Sequence, residues 1–122
     1  MMVAKQLKQI FDPYVTLNIK VWENFEKLGE VRLFPRETVL KASDTTEKYF
    51  NIILKGSGGN FLWKRNNAVC IDLAFENDSL NDYMSFTLQK PTPIEVRLFE
   101  DSTIFRISHG KFQETLKSGN YG

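Results

Sequence analysis

From Val31 to Ile107 the apolar residues of this chain recur at every second position, in short runs cut by turn signals. A period of two is what a half-buried strand requires, because successive side chains leave it on opposite faces. Val31 and Leu33 alternate with Glu30 and Arg32, and Phe50, Ile52 and Leu54 alternate with Tyr49, Asn51 and Ile53. Phe61 and Trp63 share a face. Val69, Ile71, Leu73 and Phe75 form the clearest alternation, Ile94, Val96 and Leu98 repeat it, and Thr103, Phe105 and Ile107 close the series. Lys55-Gly56-Ser57-Gly58-Gly59, Asn66-Asn67 and Lys90-Pro91-Thr92-Pro93 carry the residues that turns demand. About seven or eight short strands at this spacing predict a sandwich, roll or barrel.

The two ends read as helix. Residues 4–11 (AKQLKQIF) place Leu7 and Ile10 or Phe11 on one face. Asp12-Pro13 stops that helix, since the residue before a proline avoids the helical region. Thr16 is the expected cap of a second helix, in which Ile19, Trp22, Phe25 and Leu28 share a face until Gly29 ends it. Ser108 is the expected cap of a last helix, with Phe112 and Leu116 packing one turn apart, and the tail Lys117 to Gly122 is expected to fray. One more short helix is expected around residues 80–87. Trp22, Phe25, Phe61 and Trp63 are the expected bulky core residues. The result is one mainly β domain: N-terminal helices over 4–28, a β-roll over 30–108 and a terminal helix over 109–117.

Composition narrows the class. A chain of 122 residues, 42% hydrophobic and 25% charged, buries one core without staples. Its net charge of +1 is not that of a free-standing nucleic-acid binder, and Lys64-Arg65 reads as a solvated hairpin tip. Cys70 is the only cysteine, which excludes an internal disulfide, an iron–sulfur cluster and a structural zinc site built on thiolates. That usage fits the reducing cytoplasm. Lys5 and Lys8 break the apolar run a signal peptide would need, and no stretch approaches the ~18 apolar residues that cross a bilayer. A cytoplasmic protein without a membrane partner is expected. His109 is the only histidine, whereas a metal-dependent cupin needs several His and Glu ligands converging in its barrel. Nothing else in the sequence supports a haem site through His109. No metal and no cofactor are expected.

One segment interrupts the strand pattern. Leu73-Ala74-Phe75-Glu76-Asn77-Asp78-Ser79-Leu80-Asn81-Asp82-Tyr83-Met84-Ser85-Phe86 reads as strand, loop and short helix, followed by Gln89-Lys90-Pro91-Thr92-Pro93, a strand and Glu100-Asp101-Ser102. This segment resembles the phosphate-binding cassette of cyclic-nucleotide-binding domains, here residues 75–93. The run FEND–LNDYMSF–LQKPTP–FEDS is similar to the Crp/Fnr-like transcription regulators common in the Bacteroidetes group. The helical start with Trp22 and Phe25, the Lys55-Gly56 turn and the closing Ile107-Ser108…Phe112 follow that family's order. The resemblance implies a double-stranded β-helix, or jelly roll, flanked by short helices. It also implies a long dimer helix and a helix-turn-helix domain after the roll, which this chain of 122 residues is expected to lack.

The resemblance also implies a pocket. In cyclic-nucleotide binders a Gly-Glu pair opens the cassette helix and an Arg follows ten positions after the Glu. The helix N-terminus and the Arg hold the phosphate, and the Glu holds the ribose hydroxyl. The matching positions here are Asn81-Asp82 and Thr92, with Pro93 in place of a small hydroxyl residue. Thr92 cannot neutralise a phosphate, and Pro93 donates no N–H. Asn81, Asp82, Tyr83, Ser85, Thr92 and Pro93 are therefore the candidate ligand-binding residues of a degenerate cassette. Asn81 and Asp82 are more often a plain helix cap and first-turn acid. Arg97 and Lys90 are the nearby cations in sequence, each expected at the surface.

Three functions are carried forward. The first is the ligand-sensing domain of a Crp/Fnr-like regulator, with an unidentified small-molecule effector, DNA contacts only through a further domain, and a homodimer in the full-length protein. The second is a ligand-free dimerisation or interaction module of the same fold. The third is a cupin-like enzyme, which the single histidine disfavours. No catalytic residue is assigned. The near-neutral chain without a recognition helix is expected not to bind DNA specifically, because such binding needs clustered Lys and Arg on the phosphates. A gel shift at physiological salt checks this: no sequence-selective complex should form at roughly micromolar protein.

Overall fold

The computed structural model describes residues 2–117. The elements are α1 (Met2–Phe11), α2 (Ile19–Leu28), β1 (Glu30–Phe34), β2 (Val39–Lys41), β3 (Tyr49–Lys55), β4 (Gly58–Lys64), β5 (Asn67–Ala74), α3 (Tyr83–Leu88), β6 (Ile94–Leu98), β7 (Ser102–Ser108) and α4 (His109–Lys117). The strands form two antiparallel sheets, ordered β1-β7-β3 and β2-β6-β4-β5. This is a jelly roll with helices near both ends and one short helix inserted before β6. The tail 118–122 and the side chain of Leu116 lie outside the described residues.

β7 explains the organisation. Its segment TIFRI alternates, yet both of its faces are buried. Ile104 faces the roll interior with Ile53, Leu80, Val96 and Leu98. Phe105 faces the other way, against Ala4, Leu7 and Trp22 of the two N-terminal helices. β3 repeats the division: Ile53 joins the interior of the roll, and Ile52 joins the helical layer. Strands covered on both sides bury apolar residues at every position, so alternation there marks two cores rather than one.

Local signals account for the helix ends. Asn18, not Thr16, caps α2, its side-chain oxygen accepting from the Lys20 N–H at 2.9 Å. Thr16 lies two residues before that cap, too early to reach the first turn. Gly29 ends α2 with its N–H on the Phe25 carbonyl at 3.0 Å. A side chain there would meet the Phe105 ring at 2.5 Å, so glycine is required by close approach to β7. Ser108 caps α4, its hydroxyl accepting from the Lys111 N–H at 3.3 Å.

Three readings of the strands need correction. Leu33 is 78% exposed and Val31 is 42% exposed, because β1 turns the opposite parity inward and packs Phe34 against the roll core. The β4–β5 hairpin carries a bulge: Asn60 pairs with Asp72 and Phe61 with Cys70, leaving Ile71 as an extra residue. Leu73 therefore sits opposite Gly59 and Val69 opposite Leu62, on different faces, so the apolar row of β5 is not one stripe. Phe61 and Trp63 stay half-exposed, with Phe61 edge-on to Phe99 outside the roll rather than in its core. The short strand Val39–Lys41 carried no alternation long enough to mark it.

These placements predict opposite outcomes for two leucines. Leu98→Ala opens a cavity at a fully buried site and should lower stability by ~2–5 kcal/mol. Leu33→Ala should stay within ~0.5 kcal/mol. Urea denaturation of both variants measures the difference.

Candidate functional site

The segment from Phe75 to Pro93 folds over the open end of the roll and is tied to three strands. Asp82 is the N-cap of α3, its carboxylate accepting from the Ser85 N–H at 3.2 Å. The side-chain oxygen of Asn81 accepts from the Asn51 N–H at 2.6 Å, and the Asn60 amide donates to the Asn81 carbonyl at 2.8 Å. Asn81 is thus a strut between the cassette and strands β3 and β4. Ser85, fully buried, accepts from the Glu47 N–H at 2.8 Å and donates to the Lys90 carbonyl at 2.6 Å. Tyr83 stands 51% exposed, its hydroxyl paired with Ser79. Pro93 is exposed, and its carbonyl accepts from the Ser43 hydroxyl at 2.9 Å. Asp82 and Thr92 do meet: the Thr92 hydroxyl donates to the Asp82 carboxylate.

The residue that completes this pair comes from β2. β2 pairs with β6 so that Lys41 lies opposite Val96, on the inward face. Its ammonium reaches Asp82 Oδ2 at 3.1 Å, with the two side chains 2% and 5% exposed. The same nitrogen lies 3.1 Å from the Thr92 carbonyl, 3.1 Å from Thr92 Oγ1 and 2.7 Å from the Ile94 carbonyl. An ammonium has three N–H donors, and here four oxygens compete for them. Arg97 takes no part, since it faces outward onto the Phe61 ring at 4.6 Å and pairs with Glu95. Lys90 is exposed.

Glu47 lies beside this cluster, 1% exposed. Its carboxylate accepts from the Tyr49 N–H at 3.3 Å and from the Asp82 N–H at 3.4 Å. Burial pushes its carboxyl up to about 7; the two backbone N–H groups and Lys41 act against the shift, and the charge of Asp82 adds to it. A second buried cation, Arg106 of β7, lies further along the same interior face, its guanidinium 3.3 Å above the Tyr49 ring centroid. Lys41, Glu47 and Arg106 carry no motif signal, because they sit 34, 28 and 13 residues outside the cassette. A lysine closing a short apolar run and an arginine at the inward parity of Ile104 are the only traces they leave in the sequence.

His109 packs edge-on against Phe86, ring centroids 5.0 Å apart. Among the described residues no group of three His, Cys, Asp or Glu side chains converges to hold a metal ion. Among them, too, no helix is long and apolar enough to cross a membrane.

With this geometry in view, the relatives can be set beside it. No protein-family model matches the sequence, and no curated protein matches it. Solved structures match its fold. The chain is similar to a cyclic nucleotide-binding domain from Methylobacillus flagellatus, with a TM-score of 0.82 and 12% identity over 94% of this chain and 66% of that one. It is similar to the regulatory domain of Toxoplasma gondii PKA with cAMP, at 0.78 and 11% over 92% and 44%. It is also similar to the sensor domain of the transcriptional regulator DNR from Pseudomonas aeruginosa, at 0.74 and 12% over 94% and 80%. The fold is therefore the jelly roll that these cyclic nucleotide-binding domains share. The chain spans less than half the length of the Toxoplasma chain.

Glu47 makes stability depend on pH in a stated direction. Its carboxyl holds a proton up to about pH 7 when folded, but only to its ordinary value of 4.5 when unfolded. Between those values the native state binds the extra proton, so stability falls as pH rises and levels off above 7. The full span corresponds to roughly 3 kcal/mol. Urea titrations from pH 4.5 to 8 should show this slope in the wild type, and the difference from Glu47→Gln should isolate it.

Proposed function

We propose that the chain is the sensor domain of a Crp/Fnr-type regulator whose cassette has become structural and no longer receives a cyclic phosphate. The observation that carries this is the Lys41 ammonium, buried and bonded to Asp82, Thr92 and Ile94. A phosphate entering here would have to take a proton donor from that set and lie beside the Asp82 charge. Among the described residues no free cation waits at the Thr92 position, since the Lys41 ammonium there is already saturated. The reading as a regulator, and the narrower Bacteroidetes-type likeness, rest on the run from Phe75 to Ser102 and on the fold. A binding domain rather than an enzyme, a cytoplasmic setting, DNA contacts through a further domain and a homodimer of the whole regulator belong to the same proposal.

The link from cassette to output is an aromatic contact chain. Phe86 of α3 meets Phe112 of α4 at 5.4 Å between ring centroids, and Phe50 lies 5.3 Å from Phe112 and 6.1 Å from Phe86. A shift of α3 is therefore felt by α4. The saturated cassette equally favours a second reading, an interaction module of the same fold without an effector.

Calorimetry with cAMP and cGMP tests the proposal. The wild type should give no saturable heat up to about 1 mM nucleotide. Thr92→Arg alone should not restore binding, because it sets a guanidinium beside the buried Lys41 ammonium. Wild-type binding at a few micromolar or better would overturn the structural reading of the cassette.

A further inference from the structure

A buried guanidinium ordinarily has a carboxylate or several carbonyls around it, because its desolvation is costly. Arg106 does not. It is 8% exposed, forms no ion pair with any described carboxylate, and its Nε–H is buried without an acceptor. Its contacts are ring faces: Tyr49 at 3.3 Å and Phe34 at 5.5 Å from the guanidinium carbon. Stacking satisfies the flat faces of the group and leaves its in-plane donors for an acceptor that the fold does not supply.

Arg106 borders a cavity of about 260 Å³ at the end of the β1-β7-β3 sheet. Arg106, Tyr49, Ser108 and Lys111 line it, with Leu28 and Glu30. Its volume lies just below the ~300 Å³ at which ordinary ligand pockets begin. Lys111 belongs to the first turn of α4, so the cavity joins the sheet to that helix.

We propose that this cavity is a binding site for a small organic monocarboxylate, gripped by Arg106 and Lys111. A planar carboxylate offers two oxygens to the in-plane donors of a guanidinium. Lys111 adds a second positive charge and Ser108 a hydroxyl at the rim. Glu30 sets the charge of the ligand: with two cations and one carboxylate in the lining, a single negative charge leaves the site neutral, whereas a phosphate dianion leaves it negative. Leu28 gives an apolar wall for the body of the acid. The site is separate from the Asp82–Lys41 cluster, and it stands whether or not the cassette reading does. An anion held here would tie the first turn of α4 to β7 and so bias the helix that leads away from the roll.

The test is calorimetry and thermal melting of the whole chain with sodium acetate, sodium benzoate and inorganic phosphate at constant ionic strength. At least one carboxylate should bind saturably and raise the melting temperature. Arg106→Gln should abolish that response, and it should melt no lower than the wild type, because it removes a buried charge that has no ion pair among the described residues. Lys111 is exposed, so Lys111→Ala should keep the fold and weaken binding about tenfold. Lys64→Ala at the hairpin tip should change nothing. No saturable response to either carboxylate, an undiminished response in Arg106→Gln, or tighter binding of phosphate than of both carboxylates would overturn the proposal.

Discussion

Taking an ammonium and a carboxylate out of water together costs more than their attraction returns unless further hydrogen bonds are made. In this roll those bonds exist. Lys41 meets Asp82, the Thr92 hydroxyl and carbonyl, and the Ile94 carbonyl, which ties β2, the start of α3 and the entry to β6 at one point. Removing either charge leaves the other buried alone, a loss of ~3–5 kcal/mol in comparable sites. The cassette helix, only six residues long, holds its place through this knot and through Asn81 and Ser85 rather than through its own helical stability.

The same knot sets the chemistry of the open end of the roll. The cation that a phosphate would need is present but spent on internal oxygens. Glu47 shares the cassette N–H of Asp82 and keeps a proton near neutrality because burial disfavours its charge. Arg106, further along the interior, has the reverse problem, a permanent charge with aromatic faces around it and no acceptor in its plane. Two buried cations in one roll therefore differ in kind: Lys41 is part of the fold, and Arg106 is open to a partner.

Much of the architecture was legible in order of elements. Alternation located every strand but one, and the spacing of Ile19, Trp22, Phe25 and Leu28 located α2 to its last residue. The misreadings share a cause. Alternation at Leu33, Phe61 and the β5 row does not mark one inward stripe, because β1 inverts its parity and the Asn60–Phe61 bulge reverses the face of half the hairpin. Val39–Lys41 was too short to show a period. Asn18 rather than Thr16 caps α2 because the cap must lie immediately before the first helical residue, within reach of the free N–H two or three residues on.

Within the site, Asn81, Asp82, Ser85 and Thr92 were legible because they are close in sequence and their order resembles a known cassette. What local sequence determined was therefore the set of elements, the helix caps available and the absence of an arginine at Thr92. What only the tertiary structure decided was the identity of the cations. Lys41 reaches Asp82 across 41 residues of chain, and Arg106 reaches Tyr49 across 57, through sheet pairings whose register no local pattern encodes. Electrostatic partners in a roll are chosen by which strands lie side by side, and a bulge or a one-residue slip changes the face on which every later side chain emerges.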